Sequence, residues 1–117
     1  MVDDDYCHLI TTGRQTGRDH RVEMWYVRDG STVYLLAGAG RSTDWVRNLE
    51  ADPRARIRIG DQELTATGRV LDAPGDREEA AMARELLYTK YQPRYEGLLD
   101  DWRDRALPVA LDLQLAS

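Results

Sequence analysis

The segment TTGRQTGRDHR, residues 11–21, places three arginines and two glycines in one connection. A tight hairpin turn needs only one or two special residues. Glycine permits positive φ and lets a ligand approach the backbone. The arginine fork matches phosphate or carboxylate. Arg14, Gln15, Thr16 and Gly17 are thus candidates for holding an anion, and a solvated hairpin loop is the plainer alternative. A second segment, GAGRST at 38–43, offers Gly38, Gly40, Arg41 and Ser42 just before a helical pattern. A glycine-rich nest and the free amides of a helix N-terminus together attract anions. It is neither a Walker A loop nor a full GxGxxG, and alone it fits a flexible strand-to-helix connection. At one rim of a small barrel the two loops would share one anion.

Other residues carry weaker signals. Trp25 and Tyr26 are neighbours in a strand-like run, so one faces a core and the other is free to stack on a flat ring. Tyr88, Tyr91 and Tyr95 gather around a helix end, where they either cover a barrel mouth or supply a hydroxyl proton to a substrate there. His8 and His20 are too isolated for a metal site, which wants three or four ligands, and no metal is expected; His20 can still bond an anion beside the basic loop. Cys7 has no obvious base, and Ser42 and Thr43 form no hydrolase motif with the histidines. Glu78, Glu79 and Glu85 read as a solvated helix face.

The elements that must position these residues follow from periodicity. Tyr6–Thr12 reads as a strand. Arg21–Arg28 alternates with period two and reads as a second, with Asp29-Gly30 as its turn. Thr32–Ala37 is a third. Ser42 or Thr43 caps a helix that presents Trp45, Val46 and Leu49 on one face and ends at Pro53. RARIRI at 54–59 is a strand with one wet face, and Glu63–Leu71 follows after Gly60-Asp61. Asp72–Asp76 opens a helix running to about Tyr91, with Ala80, Ala83, Leu86 and Leu87 inward. A short helix over Tyr95–Trp102 and a last strand over Leu107–Leu115 complete a βββ-α-ββ-α-(α)-β order. Six antiparallel strands of this kind close into a small barrel with helices outside.

The chain has 117 residues, enough for one domain spanning 1–117. Its net charge of −5, with the acidic run Asp3-Asp4-Asp5 at one end, argues against general nucleic-acid binding. Between Tyr6 and Asn48, six arginines face four acids, a local balance that suits a small anion. The single cysteine excludes an internal disulfide. No apolar run is long enough to span a bilayer, and the acidic N-terminus is unlike a signal peptide. The chain reads as cytoplasmic, with peripheral contact at the inner face of the plasma membrane as the alternative.

Taken together, LITTGRQTGRDHRVEMWYVRDG, AGAGRSTDWVRNLEADPRARIRI and DDWRDRALPVALDL resemble the deazaflavin-dependent nitroreductase and quinone reductase family of actinobacteria. These runs are similar to its TTxGRx(S/T)G loop, its glycine-rich loop with a W-x-x-N-L helix, and its closing W-x-x-R-x-x-P strand. The resemblance implies a split β-barrel like that of pyridoxamine phosphate oxidases. It also implies coenzyme F420, a deazaflavin with a phosphate and a glutamate tail. By matched position, Arg14, Thr16 and Gly17 belong to the first cofactor loop, Gly38, Gly40, Arg41 and Ser42 to the second, and Trp45 and Asn48 to the helix. Arg21 matches a strand-opening Arg or His. The second loop is shorter than in well-known members, with Arg41 where a lysine is usual, and Met24 stands where Pro is common. No extended N-terminal segment of the kind found in some relatives is expected.

The function this implies is hydride transfer from reduced F420 to an electron-poor acceptor, a quinone or nitro-aromatic. The cofactor carries the chemistry and the protein orients it. Met24, Trp25 or Trp45 would lie against the ring, and Tyr88, Tyr91 or Tyr95 over the acceptor. The rivals are an FMN-dependent reductase of the same fold, a non-catalytic F420 carrier, and a small nucleic-acid-binding barrel. Exposed edge strands favour a homodimer.

Overall fold

The strictly alternating runs do form strands, and every pairing is antiparallel, three across hairpin turns and three between strands distant in the chain. The computed structural model describes residues 5–114; Asp3, Asp4 and Leu115 lie outside them. The strands are β1 (Cys7–Thr12), β2 (Asp19–Met24), β3 (Val27–Asp29), β4 (Thr32–Ala37), β5 (Arg54–Ile59), β6 (Gln62–Val70) and β7 (Leu107–Leu113). The helices are α1 (Asp44–Ala51), α2 (Arg77–Tyr91) and α3 (Asp100–Arg105). One sheet holds all seven strands in the order β2-β1-β5-β6-β7-β4-β3. Its two edges, β2 and β3, are joined by only Trp25 and Tyr26. The sheet must therefore curl until its edges meet, closed by the chain itself and by no ladder between them. That is a split barrel.

There are seven strands where six were expected, because Arg21–Arg28 is not continuous. The backbone of Tyr26 is bonded to helix side chains. Its N–H donates to the Tyr91 hydroxyl at 2.9 Å, and its carbonyl accepts from Lys90 Nζ at 2.8 Å. The Lys90 ammonium also lies 3.8 Å from the centre of the Tyr26 ring, a cation–π contact. The short helix also starts later than Tyr95. The Gln92 side chain holds residues 97–99 in a non-helical turn, donating to the Gly97 carbonyl and accepting from Leu99 N–H, both at 2.8 Å. Asp100 and Asp101 then supply the acids of the first helical turn.

Two apolar clusters follow from the two faces of the sheet. Inside the barrel, Leu9, Val33, Leu35, Ile57, Val109 and Leu111 pack against Trp45, Val46 and Leu49 of α1. Outside, Tyr34, Leu36 and Ala110 pack under Ala83, Leu87 and Tyr91 of α2 and Leu99. Each buried leucine contributes about 1.5–3 kcal/mol. Arg69 of β6 ties the outer layer together: it donates to Glu79 of α2 at 2.9 and 3.0 Å and to Asp112 of β7, while the Tyr34 hydroxyl donates to Glu79 at 2.7 Å. Glu79, assigned above to a solvated face, is thus part of the helix-to-sheet contact, and its carboxyl is held below the usual range by Arg69 and then by Tyr34. No helix among the described residues is long and apolar enough to cross a membrane.

Candidate functional site

The β1–β2 connection folds on itself before it meets anything else. Gly13 N–H donates to the Arg18 carbonyl at 2.7 Å, and Gly17 N–H to the Gly13 carbonyl at 2.8 Å. Gly17 sits at φ +74°, and a Cβ on Gly13 would come within 2.9 Å of Thr16 Oγ1 and 3.1 Å of the Arg18 carbonyl. The glycines are therefore required by the turn itself.

Arg14 leaves this turn and docks on α1. Its Nη1 donates to Asn48 Oδ1 at 2.8 Å, its own N–H reaches the same oxygen at 3.2 Å, and its Nη2 pairs with Asp44 Oδ1 at 3.2 Å. Asn48 is 2% exposed, and its Nδ2 donates to Thr11 Oγ1 of β1 at 3.1 Å. A buried amide satisfied on both sides fixes register between strand, loop and helix. Gly13, Arg14, Gln15, Thr16, His20, Asp44 and Asn48 line a pocket of about 170 Å³ here. The Thr43 hydroxyl at the start of α1 is buried without a hydrogen-bond partner, and α1 has no side-chain cap. A pocket of this size takes one anionic group and its near neighbours. Its donors fit a phosphate or carboxylate of a tail, and it is too small for a tricyclic ring.

The second loop goes elsewhere. Gly40 adopts φ +63°, and the Ser42 hydroxyl donates to the Ala39 carbonyl at 2.7 Å. The Arg41 Nε donates to Glu50 at 3.2 Å and its Nη1 bonds Asp72. Arg41 borders a different depression, shared with Leu49, Pro53, Gly68 and Val70. The expectation that Arg14 and Arg41 meet over one anion is corrected: Arg14 is paired with Asp44 and Arg41 with Glu50 and Asp72, and the two line different depressions. Gly38 has open space around it.

Three further expectations change. Trp45 is 5% exposed inside the barrel, so it packs the core and does not face a ring. Arg21 is exposed on the outward side of β2, paired across the ladder with Ile10, away from the pocket. Tyr91 is 1% exposed, accepts from Tyr26 N–H, and lies 2.7 Å from the Asp5 carbonyl and 2.8 Å from that of Tyr26. Burial pushes its hydroxyl well above the usual tyrosine range. It braces the barrel seam and does not reach a substrate.

Trp25 stacks on the Tyr91 ring at 4.5 Å with an interplanar angle of 4°, and Trp102 meets it edge-on at 5.3 Å. Tyr95 lies edge-on to Trp25 at 5.9 Å and is half exposed. The Tyr88 hydroxyl donates to Asp100 at 3.3 Å under the Arg103 guanidinium. Met24 faces the barrel core from β2, partly buried. Burial pushes the Cys7 thiol up to about 12, which leaves it unreactive. No cluster among the described residues can hold a metal ion. Thr11 and Asp44 were not singled out from sequence. Asp44 and Asn48 stand four residues apart on one helical face, and that spacing was the available signal.

Fold and pocket together define a split-barrel protein with a small polar pocket between its first hairpin and first helix. The sequence model of the F420H(2)-dependent quinone reductase family matches residues 2–114, and the chain belongs to that family. An F420H(2)-dependent quinone reductase of Mycobacterium tuberculosis is 30% identical over 95 residues, which is 74% of this chain and 63% of the relative. The chain thus spans less than two thirds of the length of that relative. Among solved structures, the F420-H2-dependent reductase FDR-A superposes with a TM-score of 0.70 at 23% identity, covering 97% of this chain and 96% of the other. A chain solved as a domain-swapped dimer superposes at 0.72 with 23% identity, covering 97% and 82%. These two likenesses establish the fold.

Proposed function

We propose that this chain binds coenzyme F420 and positions it for hydride transfer to a quinone. The observation that carries this is the Arg14–Asn48–Asp44 constellation, a brace anchored on the buried Asn48 amide at positions matching the family's cofactor motifs. When bound, the deazaflavin supplies the hydride. Arg14 and the backbone of Gln15 and Thr16 would hold the anionic tail. Gripping the tail aligns the distant ring, so remote contacts become orientation at the reacting carbon. Met24, partly buried at the end of β2, would supply an apolar wall for that ring. Of the three candidate tyrosines, Tyr95 and Tyr88 are the ones still accessible to an acceptor, and solvent serves as the proton source in their absence.

A nitro-aromatic is the second acceptor class to screen. A homodimer in the cytoplasm completes the proposal; light scattering reads the first, and co-sedimentation with vesicles tests the alternative of contact with the membrane surface. The decisive experiment is a titration of tryptophan fluorescence with F420 and, in parallel, FMN. Tight binding of F420 alone supports the reading. Preference for FMN keeps the barrel and replaces the cofactor, and binding of neither removes the function.

A further inference from the structure

We propose that Gln92 is a positioning residue for the acceptor: its side chain closes the turn against which the Tyr95 ring lies, and through that ring it governs how well a quinone is held. The inference rests on the quinone reductase reading above, and it concerns the acceptor and not the cofactor.

Tyr95 is 48% exposed, and an exposed side chain ordinarily keeps its rotamer freedom. Here its surroundings restrict it. Trp25 meets the ring edge-on, with centroids 5.9 Å apart and an interplanar angle of 77°. Trp25 is itself stacked on the buried Tyr91 ring. On another side the Tyr95 ring lies against Gly97, where a Cβ would come within 2.8 Å of its Cε2 and 3.5 Å of its Cδ2 and Cζ. Gln92 holds Gly97 in that place. Its Nε2 donates to the Gly97 carbonyl and its Oε1 accepts from Leu99 N–H, both at 2.8 Å. Residues 95–99 belong to no helix or strand, so one amide side chain supplies the bonds that a regular element would. The outcome is a half-exposed ring set between an anchored tryptophan and a closed turn. Such a ring can stack on a flat acceptor with little further loss of side-chain entropy, and that preorganisation strengthens binding. Without the Gln92 bonds the turn loosens, and the ordering cost falls on the acceptor.

The test measures KM and kcat for menadione, a soluble naphthoquinone, with reduced F420 as donor, and the F420 dissociation constant by tryptophan quenching. Gln92→Met keeps the length of the side chain and removes both hydrogen bonds. It is expected to raise KM about fivefold, the worth of one aromatic contact, with kcat within about twofold of wild type and the F420 dissociation constant unchanged. Gly97→Ala reaches the same ring from the turn itself: its methyl displaces Tyr95, and a similar rise in KM is expected. In a Tyr95→Ala background neither substitution is expected to raise KM further, because the ring through which both act is gone. A KM unmoved by Gln92→Met, or raised equally with and without the Tyr95 ring, would overturn the role of Gln92 while leaving the quinone reductase reading intact. A wild type that does not reduce menadione with reduced F420 would remove that reading, and this inference with it. Were Gln92→Met to fail to fold, Gln92→Glu, which can still accept from Leu99 N–H but cannot donate to Gly97, decides by the same comparison.

Discussion

The two arginine-bearing loops look alike in sequence and are built differently. The first, between β1 and β2, is tied to the interior: Arg14 reaches the buried Asn48, which reaches the buried Thr11. The second, before α1, is tied to the surface: Arg41 meets Glu50 and Asp72 in solvent-exposed pairs. A loop anchored through a buried amide holds its donors in place before a ligand arrives, and such preorganisation strengthens binding. A loop anchored by exposed ion pairs gains little from them. Glycine and arginine counts do not distinguish the two; the partner of each arginine does.

The sharpest way to break this contrast is Asn48→Ala. It leaves the Thr11 hydroxyl and the Arg14 N–H without their partner, and urea unfolding is expected to show a loss of about 2–4 kcal/mol. A loss indistinguishable from zero would mean that the first loop is no better anchored than the second. Arg14→Ala comes next: F420 affinity is expected to fall by about 1.5–3 kcal/mol, the worth of a hydrogen bond to a charged group, with the dissociation constant as readout. Unchanged affinity would reduce the loop to a hairpin. Gly13→Ala pushes a methyl against the Thr16 hydroxyl and the Arg18 carbonyl; a smaller destabilisation, about 1–2 kcal/mol, is expected from thermal melts. At the bottom of the scale, Arg41→Ala is expected to leave the melting temperature within experimental error and F420 binding nearly unchanged. A large drop in affinity would show that Arg41 leaves Glu50 and Asp72 to join the ligand, and the contrast would fail.

Legibility in the sequence varied with the range of the interaction. RARIRI declared both its strand and its wet face, because alternation is local. The α1 face of Trp45, Val46 and Leu49 was legible for the same reason, as were Ala83 and Leu87 on α2. Tyr91 was misread because its burial depends on Tyr26, a residue 65 positions away in sequence. The break after Met24 was hidden for the same cause: nothing in MWYV says that α2 side chains will take the backbone bonds of Tyr26. In the candidate site, Arg14, Gln15, Thr16 and Asn48 were legible as motif residues, but the pairing of Arg14 with Asp44 and Asn48 was not.

By itself the sequence determined the element types, the two glycine-rich connections, the surplus of arginine in the first half and, through its motifs, the family. These rest on backbone preference and on patterns a few residues long. Only the tertiary structure decided which arginine faces the pocket and which tyrosine is core. It also decided that Gln92 closes the turn beside Tyr95. The physical reason is that charge and hydrogen-bond partners act through space, and the closing of the barrel brings together strands and helices that lie far apart along the chain.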